Sequence, residues 1–172
     1  MYRIPFYQRP FSWSTTQFDL LIDSILDSMN NVEGHFLGAI LLQEKPTGKY
    51  DLVDGQQRMT ALAILMAVIR DNADNTDIQK TMQSCIYQEE NKLRRLHESM
   101  RIEPWEKMEE LFRKYIFSYQ GTQEYIKDFD NHKIDSNDDV ESPSFTFMKR
   151  LHPSKTSYPR IQRNCGISFF TC

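Results

Sequence analysis

Across residues 59–69 every residue except Thr60 is apolar. Met59, Leu62, Ala63, Met66 and Ile69 form one helical stripe, and Ala61, Ile64, Leu65 and Val68 fill its flanks. A helix that is apolar on nearly every side has to be enclosed by protein. Residues 61–69 make roughly half the length needed to cross a bilayer, so the rest of the chain must wrap this helix. Immediately before it, Tyr50, Leu52 and Asp54 alternate with Asp51 and Val53, the period of a strand. Gly55 separates the strand from the helix. Upstream, Lys45, Pro46, Thr47, Gly48 and Lys49 read as a turn, and residues 35–43 read as the partner strand of a hairpin.

The opening of the chain has a different character. Residues 4–13 are rich in aromatics and carry Pro5 and Pro10, which exclude a helix interior and push the preceding residues toward extended geometry. They read as an edge strand or an ordered loop. Phe18, Leu21, Ile22, Ile25, Leu26 and Met29 then form one apolar helical stripe. Ser14 and Gln17 fit a capping box, with Trp13 and Phe18 at the two positions of a hydrophobic staple. Asp19, Asp23 and Asp27 recur on another face, read as a solvated face rather than a metal site. From Thr76 the pattern reads as mainly helical, with residues 92–100 ambiguous between helix and short strand. Pro104 suits a first helical position, and Trp105, Met108, Leu111, Phe112, Tyr115 and Ile116 form a stripe that Gly121 breaks. Tyr125, Ile126 and Phe129 suggest a last short helix.

A chain of 172 residues suggests one domain, or one domain with an extension. The pattern gives an α/β (α+β) domain over residues 1–72, a helical extension over residues 73–130, and a linker with an irregular, truncated tail over residues 131–172. The net charge of −3 gives no global attraction to nucleic acid or to an anionic membrane. Cys85, Cys165 and Cys172 have no metal-ligand or disulfide spacing. With no leader-like N-terminus, they suit a reducing, cytoplasmic setting.

The strongest local signal is Asp54-Gly55-Gln56-Gln57-Arg58 at the strand-to-helix junction. The first N–H groups of a helix lack intrahelical partners and carry partial positive charge, so such a junction suits an anion. Gly55 allows close backbone approach or positive φ. Gln56 and Gln57 offer amides, and Arg58 offers a planar fork matched to phosphate. Asp54 could hold a magnesium ion or orient a water. The plainer alternative has Asp54 as the helix N-cap and Gly55 as an ordinary turn residue. Gln8 and Arg9 form a second Gln-Arg pair, readable as a second phosphate contact or as a surface arginine among core aromatics. His35, His97, His132 and His152 are isolated, and no phosphate-cradling GxxxxGK loop or GxSxG elbow occurs. Lys92, Arg94, Arg95 and Arg101 lie among glutamates and read as a charge-laced exposed helix.

Three blocks stand in a specific order: Ile4-Pro5-Phe6-Tyr7-Gln8-Arg9-Pro10-Phe11-Ser12-Trp13, then Phe36-Leu37-Gly38-Ala39-Ile40, then Asp54 to Arg58 followed by Met59-Thr60-Ala61-Leu62. Together they resemble the N-terminal domain of the GmrSD-type DNA-defence family, which is related to the SspE proteins. The resemblance is firm over residues 4–70 and looser to residue 130. It implies a ParB/sulfiredoxin-like mixed sheet with flanking helices, and nucleotide binding and hydrolysis at the Asp54–Arg58 loop; with Asp54 read as a magnesium ligand, the expected ligand is a nucleoside triphosphate with Mg2+. It also implies a role in defence against modified phage DNA, contacted through the full-length protein. Family members commonly cut DNA with a separate C-terminal HNH-type domain. The expected function is therefore a nucleotide-binding, NTP-hydrolysing regulatory domain, with Asp54, Gln56, Gln57 and Arg58 in the chemistry and Gln8, Arg9, Gly55 and Arg58 around the nucleotide. The alternatives are a ParB-like nuclease domain and a non-catalytic interaction module for protein or DNA.

Overall fold

The computed structural model describes residues 2–9, 11–28, 36–93, 95–104 and 106–131. The expected tail, and nearly all of the linker before it, lie outside them. The fold is mixed α+β. Its main sheet has four strands: β1 (Tyr2–Arg3), β2 (Leu41–Glu44), β3 (Tyr50–Asp54) and, far along the chain, a strand at Ile102–Glu103. The order is β2, β3, β1 and then that last strand. β1 lies parallel to both of its neighbours, and β2 runs antiparallel to β3. The start of the chain is thus threaded between two later segments. Arg3 Nε and Nη2 donate to the two Asp51 oxygens at 2.9 and 3.1 Å, and Lys45 Nζ lies 3.1 Å from Asp51 Oδ2. Burial alone would raise the Asp51 pKa, but the hydrogen bonds from Lys45 and Arg3 outweigh it and hold the carboxyl below its ordinary range.

The β2–β3 hairpin turns through residues 45–49, with Gly48 at φ +72°. The strand expected over residues 35–43 is shorter. Its ladder begins at Leu41, because Gly38 at φ +99° leaves the extended region and residues 36–40 pair with no strand. His35 lies outside the described residues.

α1 (Thr15–Ser28) begins where the capping signal places it. The Ser14 backbone N–H donates to Gln17 Oε1 at 2.8 Å, and the Ser14 hydroxyl contacts the same oxygen. The Trp13 and Phe18 rings meet edge to face at 5.6 Å, forming the staple. Phe18, Leu21, Ile22 and Leu26 are buried.

α2 (Gln56–Asn72) is the enclosed helix. Ala61, Ala63, Ile64, Leu65, Ala67 and Val68 are all buried. The alanines let other elements approach its backbone closely. α3 (Thr76–Ile86) and a last helix at Gly121–Asp130 pack on it. Asn75 caps α3, accepting from the N–H groups of Asp77 and Ile78.

The mainly helical reading after Thr76 needs correction. Residues 87–103 form β4 (Tyr87–Gln88) paired antiparallel with β5 (Ser99–Met100), and then β6 (Ile102–Glu103), the fourth strand of the main sheet. Lys92 and Arg95 sit in the turn of this hairpin rather than on a helix, Arg95 at φ +53°, and Arg101 lies between β5 and β6. Arg94 lies outside the described residues. Strands of two residues carry no readable alternation, and their pairing partners lie across the fold.

α4 (Glu106–Leu111) starts two residues past Pro104 and runs into a π-helical segment, Phe112–Phe117. The π segment ends at Phe117 and α5 (Gly121–Asp130) begins after the turn at residues 118–120, so Gly121, read as a helix breaker, opens a helix. At the C-terminal end of α2, Arg70 is fully buried. It donates to Asp71 (2.7 and 3.0 Å), to Gln83 Oε1, and to the carbonyls of Ile116 (2.9 Å) and Ser118 (2.6 Å). A guanidinium thus meets the last carbonyls of the π segment, where a cation is favoured. Asp71 accepts from the N–H groups of Gln120 (2.9 Å) and Thr122 (3.0 Å), acting as the N-cap that α5 lacks in its own sequence.

Candidate functional site

β3 ends at Asp54, and Gly55 turns the chain into α2 at φ +89°, ψ 4°. Gly55 therefore holds the N-cap position and Asp54 does not. Among the described residues no side chain caps α2, and its first turn carries no acidic residue. A helix start of this kind presents partial positive charge with no built-in carboxylate to offset it.

The Ile4–Trp13 stretch crosses this helix start and is stitched to it by glutamine amides. Gln8 Nε2 donates to the Val53 carbonyl at 3.0 Å. Gln56 Nε2 donates to the Arg9 carbonyl at 3.2 Å, and Gln57 Oε1 accepts from the Ser12 N–H at 2.8 Å. Gln56 and Gln57 are both buried, so these bonds form largely out of water, where a lost partner costs most.

The two arginines remain at the opening. Arg58, in the first turn of α2, reaches back so that its guanidinium packs against Gly38, and its Nη1 donates to the Ala39 carbonyl at 3.1 Å. A Cβ on Gly38 would lie 2.6 Å from three guanidinium atoms. Arg9 and Asp54 are exposed, and neither side chain has a hydrogen-bond or ionic partner among the described residues.

Gln8, Arg9, Trp13, Val53, Asp54, Gly55, Gln56, Gln57 and Arg58 line one cleft of about 240 Å³. Gln8, Arg9, Asp54, Gly55, Gln56, Gln57 and Arg58, the residues expected around a nucleotide, thus meet in one place. Beside the cleft is a narrow recess of about 30 Å³, walled mainly by Ile4, Phe11, Pro104, Met108 and Phe112 and sharing Arg9, Gln56 and Gln57 with it. At this boundary the Gln56 Oε1 is buried with no hydrogen-bond partner.

Two parts of the site were not foreseen. Trp13 was read as a staple and as the end of a motif, yet it lines the cleft. Gly38 was read only as part of a motif, yet it seats Arg58; a glycine inside an apolar strand-like run was the available signal. Among the described residues no three His, Cys, Asp or Glu side chains gather as a metal-binding group, so Asp19, Asp23 and Asp27 form none. No described helix is long and apolar enough to cross a membrane.

A search of curated proteins returns no match for this chain. Residues 1–165 match the family model described as the GmrSD restriction endonuclease, N-terminal domain. The three sequence blocks, the mixed sheet and this match over nearly the whole chain agree, and the chain belongs to the family of GmrSD restriction endonuclease N-terminal domains.

Proposed function

We propose that the cleft at the start of α2 binds and hydrolyses a nucleoside triphosphate, and that the domain is the nucleotide-responsive regulatory part of a restriction protein acting on modified DNA. The observation that carries this reading is the convergence of Arg9 and Arg58 on one helix start, turned by a left-handed glycine and free of any capping carboxylate. Helix N-termini with adjacent guanidinium groups are suited to phosphate. Arg58 opposes the α2 dipole, an unfavourable place for a cation unless an anion joins it. The mixed sheet is compatible with the ParB/sulfiredoxin-like assignment, which is part of the same proposal.

Among the described residues Asp54 is the only carboxylate lining the cleft. One carboxylate suits a magnesium ion carried in by phosphate oxygens, since Mg2+ keeps several waters and needs few protein ligands. Bound there, Mg2+ would neutralise phosphate charge. In this reading Gln56 and Gln57 hold the Arg9 segment and Gly55 lets the phosphates approach the backbone. The nuclease alternative has no clustered carboxylates or histidines among the described residues to stand on.

Calorimetric titration with nucleoside triphosphates, with and without Mg2+, tests the reading. Arg58→Ala should weaken binding about ten- to a hundredfold, the value of a charge-assisted contact. Asp54→Ala should remove the Mg2+ dependence. Parent protein that binds no nucleotide, or Arg58→Ala that binds like the parent, would leave the junction as a plain helix start.

A further inference from the structure

We infer that Trp13 is the wall against which the base of the bound nucleotide stacks, so that the cleft selects a nucleoside phosphate over inorganic phosphate chains. This rests on the nucleotide reading above and deepens it.

Among the described residues Trp13 is the only aromatic side chain lining the cleft, whose lining is mostly polar, with Val53 as its one other apolar side chain. A site for phosphate alone has no use for an indole at its edge. Among the described residues its ring contacts are Phe18, edge to face at 5.6 Å, and Phe11, tilted by 51° at 6.4 Å. Neither ring lies flat on the indole. Phe18 is fully buried, so the indole is anchored from the core side. A rigid aromatic held beside cationic groups is the arrangement that stacks bases while arginines meet phosphate.

Gln56 supplies the second observation. Its carboxamide is only 7% exposed and is oriented by the bond from Nε2 to the Arg9 carbonyl, which leaves Oε1 as an acceptor without a donor. An ionised phosphate chain brings only acceptors and cannot satisfy it. The nucleoside half of a nucleotide carries N–H and O–H donors and can, with a small outward turn of the amide. Rings and donors belong to the same half of the ligand, so Trp13 and Gln56 point to one chemistry.

The test uses the full chain carrying Trp105→Phe, which leaves Trp13 as its single indole. ATP, GTP, CTP, UTP and inorganic tripolyphosphate are titrated with Mg2+, reading both Trp13 fluorescence and calorimetric affinity. At least one nucleotide should change the indole emission and bind on the order of tenfold or more tighter than tripolyphosphate. Trp13→Leu should abolish that advantage and leave tripolyphosphate affinity unchanged. The fluorescence arm keeps its force even if Trp13→Leu folds poorly. Tripolyphosphate binding as tightly as every nucleotide, with Arg58→Ala weakening all alike, would overturn the base seat while sparing the phosphate site. If neither class of ligand binds, both readings fall together.

Discussion

Gly38 and Arg58 depend on each other. The guanidinium occupies the space that a Cβ at position 38 would need, and Gly38 holds a φ of +99° that other residues rarely adopt. Gly38→Ala should therefore act twice, straining the backbone by about 1–3 kcal/mol and evicting Arg58 from its seat. Gly48 is the control: it has φ +72° but nothing within 4 Å of its Cβ position. Gly48→Ala should lower the melting temperature and leave nucleotide affinity alone, whereas Gly38→Ala should lower both. Equal nucleotide affinity in the two variants would show that Arg58 does not need this seat. At this scale the sequence was informative about charges and silent about amides. The Gln-Arg pairs announced two cations near a helix start. Nothing announced that the glutamines would bind backbone carbonyls 45 and 47 residues away, since those partners exist only after folding.

Helices α1 and α2 were legible because apolar residues at helical spacing, and a cap in the case of α1, act within one segment. β1 and β6 were not, because two-residue strands take their stability from pairing across 48 or more residues. The Arg3–Asp51–Lys45 cluster ties the first of these pairings and sets its acid sensitivity. A carboxyl with a lowered folded pKa adds stability above its unfolded value of about 3.9, and loses it as pH falls through the folded value. Stability should fall below about pH 4 in the parent, and Asp51→Asn should flatten that limb while lowering stability at neutral pH. Denaturant melts from pH 2 to 7 would check it, and an unchanged acid limb in Asp51→Asn would remove Asp51 from the account. The Arg70–Asp71 pair does comparable work for α3, the π segment and α5. Arg70→Met leaves a buried carboxylate without its cation and should cost about 3–5 kcal/mol. Arg70→Met with Asp71→Ala should cost less than the sum of the two single changes. Strict additivity in that cycle would mean the two side chains do not act as a unit.

The whole molecule is organised around α2, and it is closed by segments from both sides of that helix in sequence. Residues 1–72 hold the cleft motifs and read naturally as a domain, yet β6 from residues 102–103 completes the sheet beside β1. Among the described residues, ten of the twenty that form the main buried cluster, from Ile86 to Ile126, lie beyond residue 72. Pro104, Met108 and Phe112 wall the recess that adjoins the cleft. A helix as apolar as α2 could be read as enclosed, but which segments enclose it depends on tertiary pairing that no local pattern encodes. The consequence is testable by cutting the chain at residue 72. The fragment would retain every motif residue, but the α2 surface that meets α3, the π segment and α5 would be bare. A chain of about 70 residues rarely draws more than about 3–5 kcal/mol from its core even when that core is intact. The fragment of residues 1–72 should therefore show no cooperative melt, expose apolar surface to a hydrophobic dye, and bind no nucleotide, while the full chain melts in one transition. A cooperative melt from the fragment would mean that α1 and the β1–β3 sheet suffice to hold α2, and that the later helices stabilise the domain without being needed to form it.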